Sequence, residues 1–234
     1  MNKHALAVVA LSLAGMASAQ EVVKIGHVAA VTGPVAYFGK DTENGARLAI
    51  EVLNARGVVI DGKKVRFELV AEDDAGEPKQ ATTVAQKLVD AKVNGVVGHQ
   101  TSGTTIPASK IYYTAGIPQI SHSSTSPKYT LQGFNTTFRV VANDTQLGRA
   151  LGRYAVKGMA ARRVAVIDDR TAYGQGLATE FVKGLQQQGG TVVAHEFTTD
   201  KATDFNSILT KIKGARPDLI FYGGMNAVAG PMLR

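Results

Sequence analysis

The sequence contains no cysteine. In an oxidising compartment such a chain has no disulfide support, so burial of apolar side chains must hold the fold together. After the first nineteen residues, no run is long and apolar enough for a membrane helix. A basic stripe interleaved with aromatics is also missing. The formal net charge is +7, but Lys63-Lys64 and Arg162-Arg163 are the only adjacent basic pairs. That dispersal argues against nucleic acid as a partner. Catalytic signatures are equally scarce. Gly174-x-Gly176 is followed by Thr179 where a dinucleotide fingerprint needs a third glycine, and no Walker loop exists. Ser102 lacks the glycine two positions earlier that a nucleophile elbow requires. His195-Glu196 has no second histidine at zinc-protease spacing and reads as a strand-end pair facing water.

What is present begins with a leader. Lys3 and His4 form a basic start, Ala5 to Leu13 is apolar apart from Ser12, and Ala17-Ser18-Ala19 fits a small-x-small cleavage site. Residues 1–19 are therefore expected to be a secretory signal, with the mature chain starting at Gln20. Two polar loops then stand out. Gly98-His99-Gln100-Thr101-Ser102-Gly103-Thr104-Thr105 follows the apolar Gly95-Val96-Val97, and Ser121-His122-Ser123-Ser124-Thr125-Ser126 follows Ile117-Pro118-Gln119-Ile120. In open α/β sheets, ligands bind beyond the carboxyl ends of strands. Hydroxyls and a helix N-terminus there suit a small anionic group such as a carboxylate.

The chain alternates strands and helices. Val22 to Val28 and Lys64 to Ala71 read as strands. Asp41 to Arg56 reads as a helix with Ala46, Ala49, Ile50 and Leu53 on one face. Pro78 opens a helix carrying Ala81, Val84, Ala85 and Leu88, and Thr104 to Tyr113 forms another. Further on, Phe138 to Val141 is extended, and Asp144 is expected to cap a helix with Leu147, Ala150, Leu151 and Tyr154. Strands begin near Val164, Val192 and Leu219, and Asp204 is placed to cap a helix with Phe205, Ile208, Leu209 and Ile212. The pattern predicts an α/β fold of two parallel-sheet lobes, residues 20–141 and 142–234, with Gly133 to Asn143 crossing between them. Asn226 to Arg234 reads as the first turns of a helix without a C-cap, so the chain is expected to be an N-terminal piece of something longer.

Several side chains are candidates for a cleft between the lobes. Ser102, Ser123, Ser124 and Thr125 supply hydroxyls, while Tyr37, Phe38 and Tyr173 sit in loops after strands, where they can wall an apolar subsite. His99 and His122, with Asp73 or Asp74, offer either a metal site or hydrogen bonds to loop backbone, and the second reading is preferred because no third soft ligand is evident. Asn135 and Asn143 match glycosylation sequons, which matter only in a eukaryotic secretory route.

Taken together, Thr32-Gly33-Pro34-Val35-Ala36, Glu72-Asp73-Asp74-Ala75 with Pro78-Lys79-Gln80-Ala81, Gly98-His99 with Pro107-Ala108-Ser109, Tyr173-Gly174-x-Gly176-Leu177-Ala178 and Tyr222-Gly223-Gly224 give the chain a family likeness. It resembles the leucine/isoleucine/valine-binding proteins of bacterial periplasmic ABC importers. The resemblance implies a type I periplasmic binding protein fold of two Rossmann-like lobes, with the second lobe and the return crossings incomplete. It implies an exported, monomeric, non-enzymatic protein that takes an aliphatic amino acid to an ABC transporter permease, with neither cofactor nor metal. A periplasmic amide or amino-acid sensor and, less well supported, a hydrolase are the alternatives. By position, Ser102 and Thr125 would bind the ligand carboxylate, with backbone of Gln100 and Ser123 meeting the ammonium or the carboxylate. Phe38 stands where relatives often have Tyr, Tyr173 matches a pocket tyrosine, and Met225 replaces an aromatic of some members. Gly76 and Thr101 occupy positions where some members pair cysteines. The acid that meets the ammonium would lie past Arg234, since Asp168 and Asp169 fall in the wrong loop.

Overall fold

The computed structural model describes residues 20–234, so the leader assigned to 1–19 lies outside the described residues. The chain runs β1 (Glu21–Ala29), α1 (Ala36–Arg56), β2 (Val59–Ile60), β3 (Lys63–Asp73), α2 (Pro78–Asp90), β4 (Gly95–Gly98), α3 (Ser102–Thr114), β5 (Gln119–Ser121) and β6 (Thr137–Arg139). It continues α4 (Asp144–Lys157), β7 (Arg163–Asp168), α5 (Ala172–Gln186), β8 (Thr191–Phe197), α6 (Asn206–Ala215), β9 (Leu219–Gly223) and α7 (Asn226–Met232). The first sheet has the order β2-β3-β1-β4-β5-β6 and the second β8-β7-β9. All pairings are parallel except the short β2–β3 hairpin at the edge.

Parallel strands need helices on their faces, and the apolar spacing supplies them. Ala81, Val84, Ala85 and Leu88 of α2 are all buried, and the last three pack with Val28, Val96, Ala108 and Tyr112. In the second lobe Val164 and Val166 pack with Ala178, Phe181 and Leu185. The opposite face joins Ala165 and Ile167 to Ile212 of α6. Helices α4 and α5 cross closely through glycines. A Cβ on Gly152 would lie 2.3 Å from the Phe181 carbonyl oxygen, and one on Gly184 2.5 Å from that of Arg149.

Several boundaries differ from the sequence reading. Helix α1 starts at Ala36, so Tyr37 and Phe38 stand on its first turn and not in a loop. Its N-cap is Val35, which offers no side-chain hydrogen bond, so no start signal marks it. Helix α4 is capped by Asn143, not Asp144. The Asn143 side chain accepts the Gln146 amide at 3.1 Å, and the Gln146 side chain reaches back to close a capping box. Asp204 serves α6 from one residue before the N-cap, accepting the Asn206 amide at 3.0 Å. Helix α3 begins at Ser102, with the Thr101 hydroxyl accepting the Thr104 amide at 3.3 Å. The predicted apolar face of α1 is only half-covered. An apolar gap of about 460 Å³, lined by Ala46, Ile50, Leu53, Phe67 and Leu69 among others, separates it from the sheet.

Candidate functional site

Strands β4 and β5 are hydrogen-bonded neighbours, which brings the two hydroxyl loops side by side. The loops are stitched by their own hydroxyls. Ser123 donates to the Gln100 carbonyl, and Ser121 donates to the His99 carbonyl at 3.0 Å. The Gln100 side chain accepts the Ala30 amide at 3.1 Å, tying the same loop to the end of β1.

Ser102, only 2% exposed, sits at the first position of α3. Its oxygen accepts the Ser126 amide and the Ser124 hydroxyl, each at 3.2 Å. Both acceptor sites are thus filled, and its proton is left to donate into the cleft. The positive end of the α3 dipole lies at the same point. Thr125 lines the cleft with a hydroxyl that has no hydrogen-bond partner. Ser124 does not line it. It stands behind Ser102 as that residue's donor.

Next to Thr125 lies an acid that the sequence reading assigned to a cap. Asp144 is fully buried, and neither carboxylate oxygen has a hydrogen-bond partner. Burial pushes its pKa above the usual carboxylate value, while the Arg139 charge pulls it back. The signal was present in the sequence. Asn143 and Gln146 complete a capping box by themselves, which leaves Asp144 without a capping task.

The ring nitrogens of His99 and His122 do not hydrogen-bond loop backbone. His99 Nδ1 meets Asp74 at 2.7 Å and Nε2 meets the Tyr112 hydroxyl at 3.1 Å, so both nitrogens are occupied. Asp74 also accepts the Gly76 amide at 2.9 Å, so this buried triad pins the loop after β3 to the loop after β4. Both His122 nitrogens lack partners, and burial together with His27 and His99 pushes its pKa down to about 4. No cluster of three potential metal ligands occurs among the described residues.

The second lobe closes the cleft from above. Tyr173 lies on the first turn of α5, after the Thr171 cap. Met225 follows β9, its amide donating to Asp169 at 3.0 Å. Asp169 also accepts the Thr171 amide at 3.0 Å, so one buried carboxylate positions both second-lobe loops. Asp168 is occupied by His195 at 3.0 Å, which leaves His195 only half-free to face water. The resulting cavity, about 440 Å³, brings together Phe38, Gln100, Ser102, Ser123 and Thr125 with Tyr173 and Met225. Two contacts bridge the lobes at its rims. The Tyr37 hydroxyl donates to Asn226 at 2.6 Å, and Lys201 pairs with Glu77.

The profile of the family described as Periplasmic binding protein matches residues 22–234. An amino acid binding protein of Pseudomonas aeruginosa is 42% identical over 235 residues, covering 100% of this chain and 62% of that protein. The Leu/Ile/Val-binding protein BraC3 of Rhizobium johnstonii is 36% identical over 232 residues, with 99% and 62% covered. Among solved structures, the Streptococcus pneumoniae branched-chain amino acid transporter substrate binding protein LivJ, in complex with isoleucine, superposes with a TM-score of 0.76 at 34% identity. That match covers 86% of this chain and 56% of LivJ. A Desulfitobacterium hafniense ABC transporter substrate-binding protein in complex with Leu gives a TM-score of 0.72 at 29% identity, covering 91% and 62%. The chain thus spans about 62% of the length of the first of these curated relatives.

Proposed function

The chain belongs to the periplasmic binding protein family, and from that premise we propose that it captures a branched-chain or related aliphatic amino acid between its lobes. It acts as a monomeric, non-enzymatic receptor in the periplasm and hands its ligand to an ABC transporter permease. One observation carries this reading: an unspent Ser102 proton and an unpaired Thr125 hydroxyl face an apolar wall of Phe38, Tyr173 and Met225 within one cavity. The hydroxyls and the α3 dipole receive the ligand carboxylate. Its ammonium lies toward Ser123. The aliphatic side chain fills the aromatic and thioether wall, where burial of each methylene contributes about 0.8 kcal/mol. Closure of the second lobe over the bound amino acid is a hinge motion, and the Tyr37–Asn226 and Lys201–Glu77 contacts are those made on closing.

Calorimetric titration with leucine, isoleucine and valine tests the reading. Binding is expected for at least one of them, and Ser102→Ala is expected to weaken it by about 1.5–3 kcal/mol, the worth of a hydrogen bond to a charged group. No heat with any aliphatic amino acid would sink the ligand class. Unchanged affinity in the variant would sink the assignment of Ser102.

A further inference from the structure

We propose that the cleft carries a second chamber beyond Met225, which takes the distal part of a straight amino-acid side chain longer than that of leucine. The inference rests on the ligand class proposed above and extends it to unbranched side chains.

A second cavity of about 310 Å³ adjoins the first, and Val35, Thr101, Tyr173 and Met225 line both. These four residues are a partition between two rooms of one cleft. Small or apolar residues make much of the second room's wall, Pro34, Ala75, Pro78 and Gly103 from the first lobe and Ala172 and Ala227 from the second, and Glu77, Arg170, Asp200 and Lys201 complete it. Its charged groups offer no free anchor for an anion. Lys201 is committed to Glu77 of the other lobe, and the Arg170 guanidinium lies over the Phe197 ring, 3.4 Å from its centroid. The chamber therefore offers an anionic tail no free cation, and its small and apolar wall receives a hydrocarbon chain.

Its walls are pre-organised. Ala75 and Gly76 hold left-handed backbone, with φ of 51° and 74°, which turns the loop after β3 so that a methyl group and a glycine face the cavity beside Glu77. Asp73 fixes that turn by accepting the Ala75 amide at 2.8 Å and the Val31 amide at 3.0 Å, and Asp74 accepts the Gly76 amide at 2.9 Å. The first-lobe wall is thus set before a ligand arrives. The partition itself is yielding, since Met225 is unbranched and its side chain repacks readily. A side chain branched near its root stays on the near side of Met225. A straight one of greater length threads past Met225 into the second.

The test is titration of the purified protein with leucine, norleucine, 2-aminoheptanoate and 2-aminooctanoate. From norleucine onward, each added methylene is expected to tighten binding about fourfold until the second room is full. Ala172→Leu fills that room from the second lobe. Gly103→Leu fills it from the first, where a Cβ would meet Pro78 at 3.8 Å and Thr101 at 3.9 Å, ordinary contact distances. Each variant is expected to abolish the gain for 2-aminooctanoate while leaving leucine affinity within about twofold of the parent. If leucine binds but affinity falls from norleucine onward, the second chamber is wrong and the ligand class stands. Equal weakening of leucine and 2-aminooctanoate in both variants also overturns it. If leucine and every longer homologue fail to bind, the ligand class itself fails and the chamber goes with it.

Discussion

His27 and His122 face each other with ring centroids 5.9 Å apart, and none of their ring nitrogens has a hydrogen-bond partner. Burial lowers both pKa values, His122 to about 4, and each of these rings is further depressed by the neighbouring His99. A histidine whose folded pKa lies below the unfolded value of about 6.5 binds fewer protons when folded. Its neutral form therefore supports the fold fully above pH 6.5, and that support is lost as pH falls from there toward 4. Glu43 opposes the shift at His27, so His122 is the stronger contributor. Urea unfolding at pH 7 and pH 4.5 is expected to show a loss of stability that shrinks in His122→Leu. The leucine would face the apolar gap under α1, which His122 lines. An unaltered pH dependence in that variant would show that His122 does not carry the effect. None of this was readable from local pattern. His27 and His122 are far apart in sequence, as are Asp74 and His99, and only the parallel register brings them together. The hydroxyls of Ser102 and Thr125 were legible, because loop composition at strand ends is a local signal. The unpaired state of Asp144 was legible too but was missed: Asn143 and Asp144 are both good capping residues, and only Gln146, which completes the box with Asn143, chooses between them.

At the scale of elements, the alternation of strands and helices was legible because parallel βα units need buried apolar runs and amphipathic helices at regular intervals. The start of α1 was missed for a physical reason: its cap, Val35, makes no side-chain bond. The two-residue β2 is too short to carry a pattern. The close crossing of α4 and α5 was also invisible, because glycine inside a helix reads as a weakness and not as a contact. Gly152 shows what it does. A Cβ there would lie 2.3 Å from the Phe181 carbonyl oxygen and 2.4 Å from the Leu185 amide nitrogen, both backbone atoms. Gly152→Ala is expected to push the helices apart and destabilise the protein by about 1–3 kcal/mol despite the better helix propensity of alanine. Gly214 on α6 has nothing within 4 Å of such a Cβ. Gly214→Ala is the matched control, expected to stabilise by up to about 1 kcal/mol. Chemical denaturation of both variants decides the point, and a stabilised Gly152→Ala would refute the close-crossing argument.

At the scale of the whole molecule, coverage of the sheets is uneven. One face of the first sheet is sealed by α2 and α3 through the buried Val84, Ala85, Leu88, Ala108 and Tyr112. On the other face, register aligns His27 with Val97, Val97 with Ile120, and Ile120 with Phe138. Helix α1 lies over the β1 and β3 end of this row. At the far end, Ile120 is 40% and Phe138 49% exposed. Together with the gap under α1, this makes a continuous apolar face of the kind that other elements normally cover. The curated relatives are longer, with this chain matching about 62% of the first of them. A version of the chain extended to the relatives' length is expected to bury this face, unfold at a higher temperature in a sharper transition, and bind less of a dye that reports exposed apolar surface. Leucine should raise its melting temperature more than it raises that of the 234-residue chain, because ligand stabilisation scales with affinity and a ligand held by completed lobes is bound more tightly. Thermal unfolding of both forms, with and without leucine, separates the outcomes. Equal transitions, raised equally by leucine, would show that residues 20–234 already form a cooperative unit and that α1 alone is cover enough for its side of the sheet.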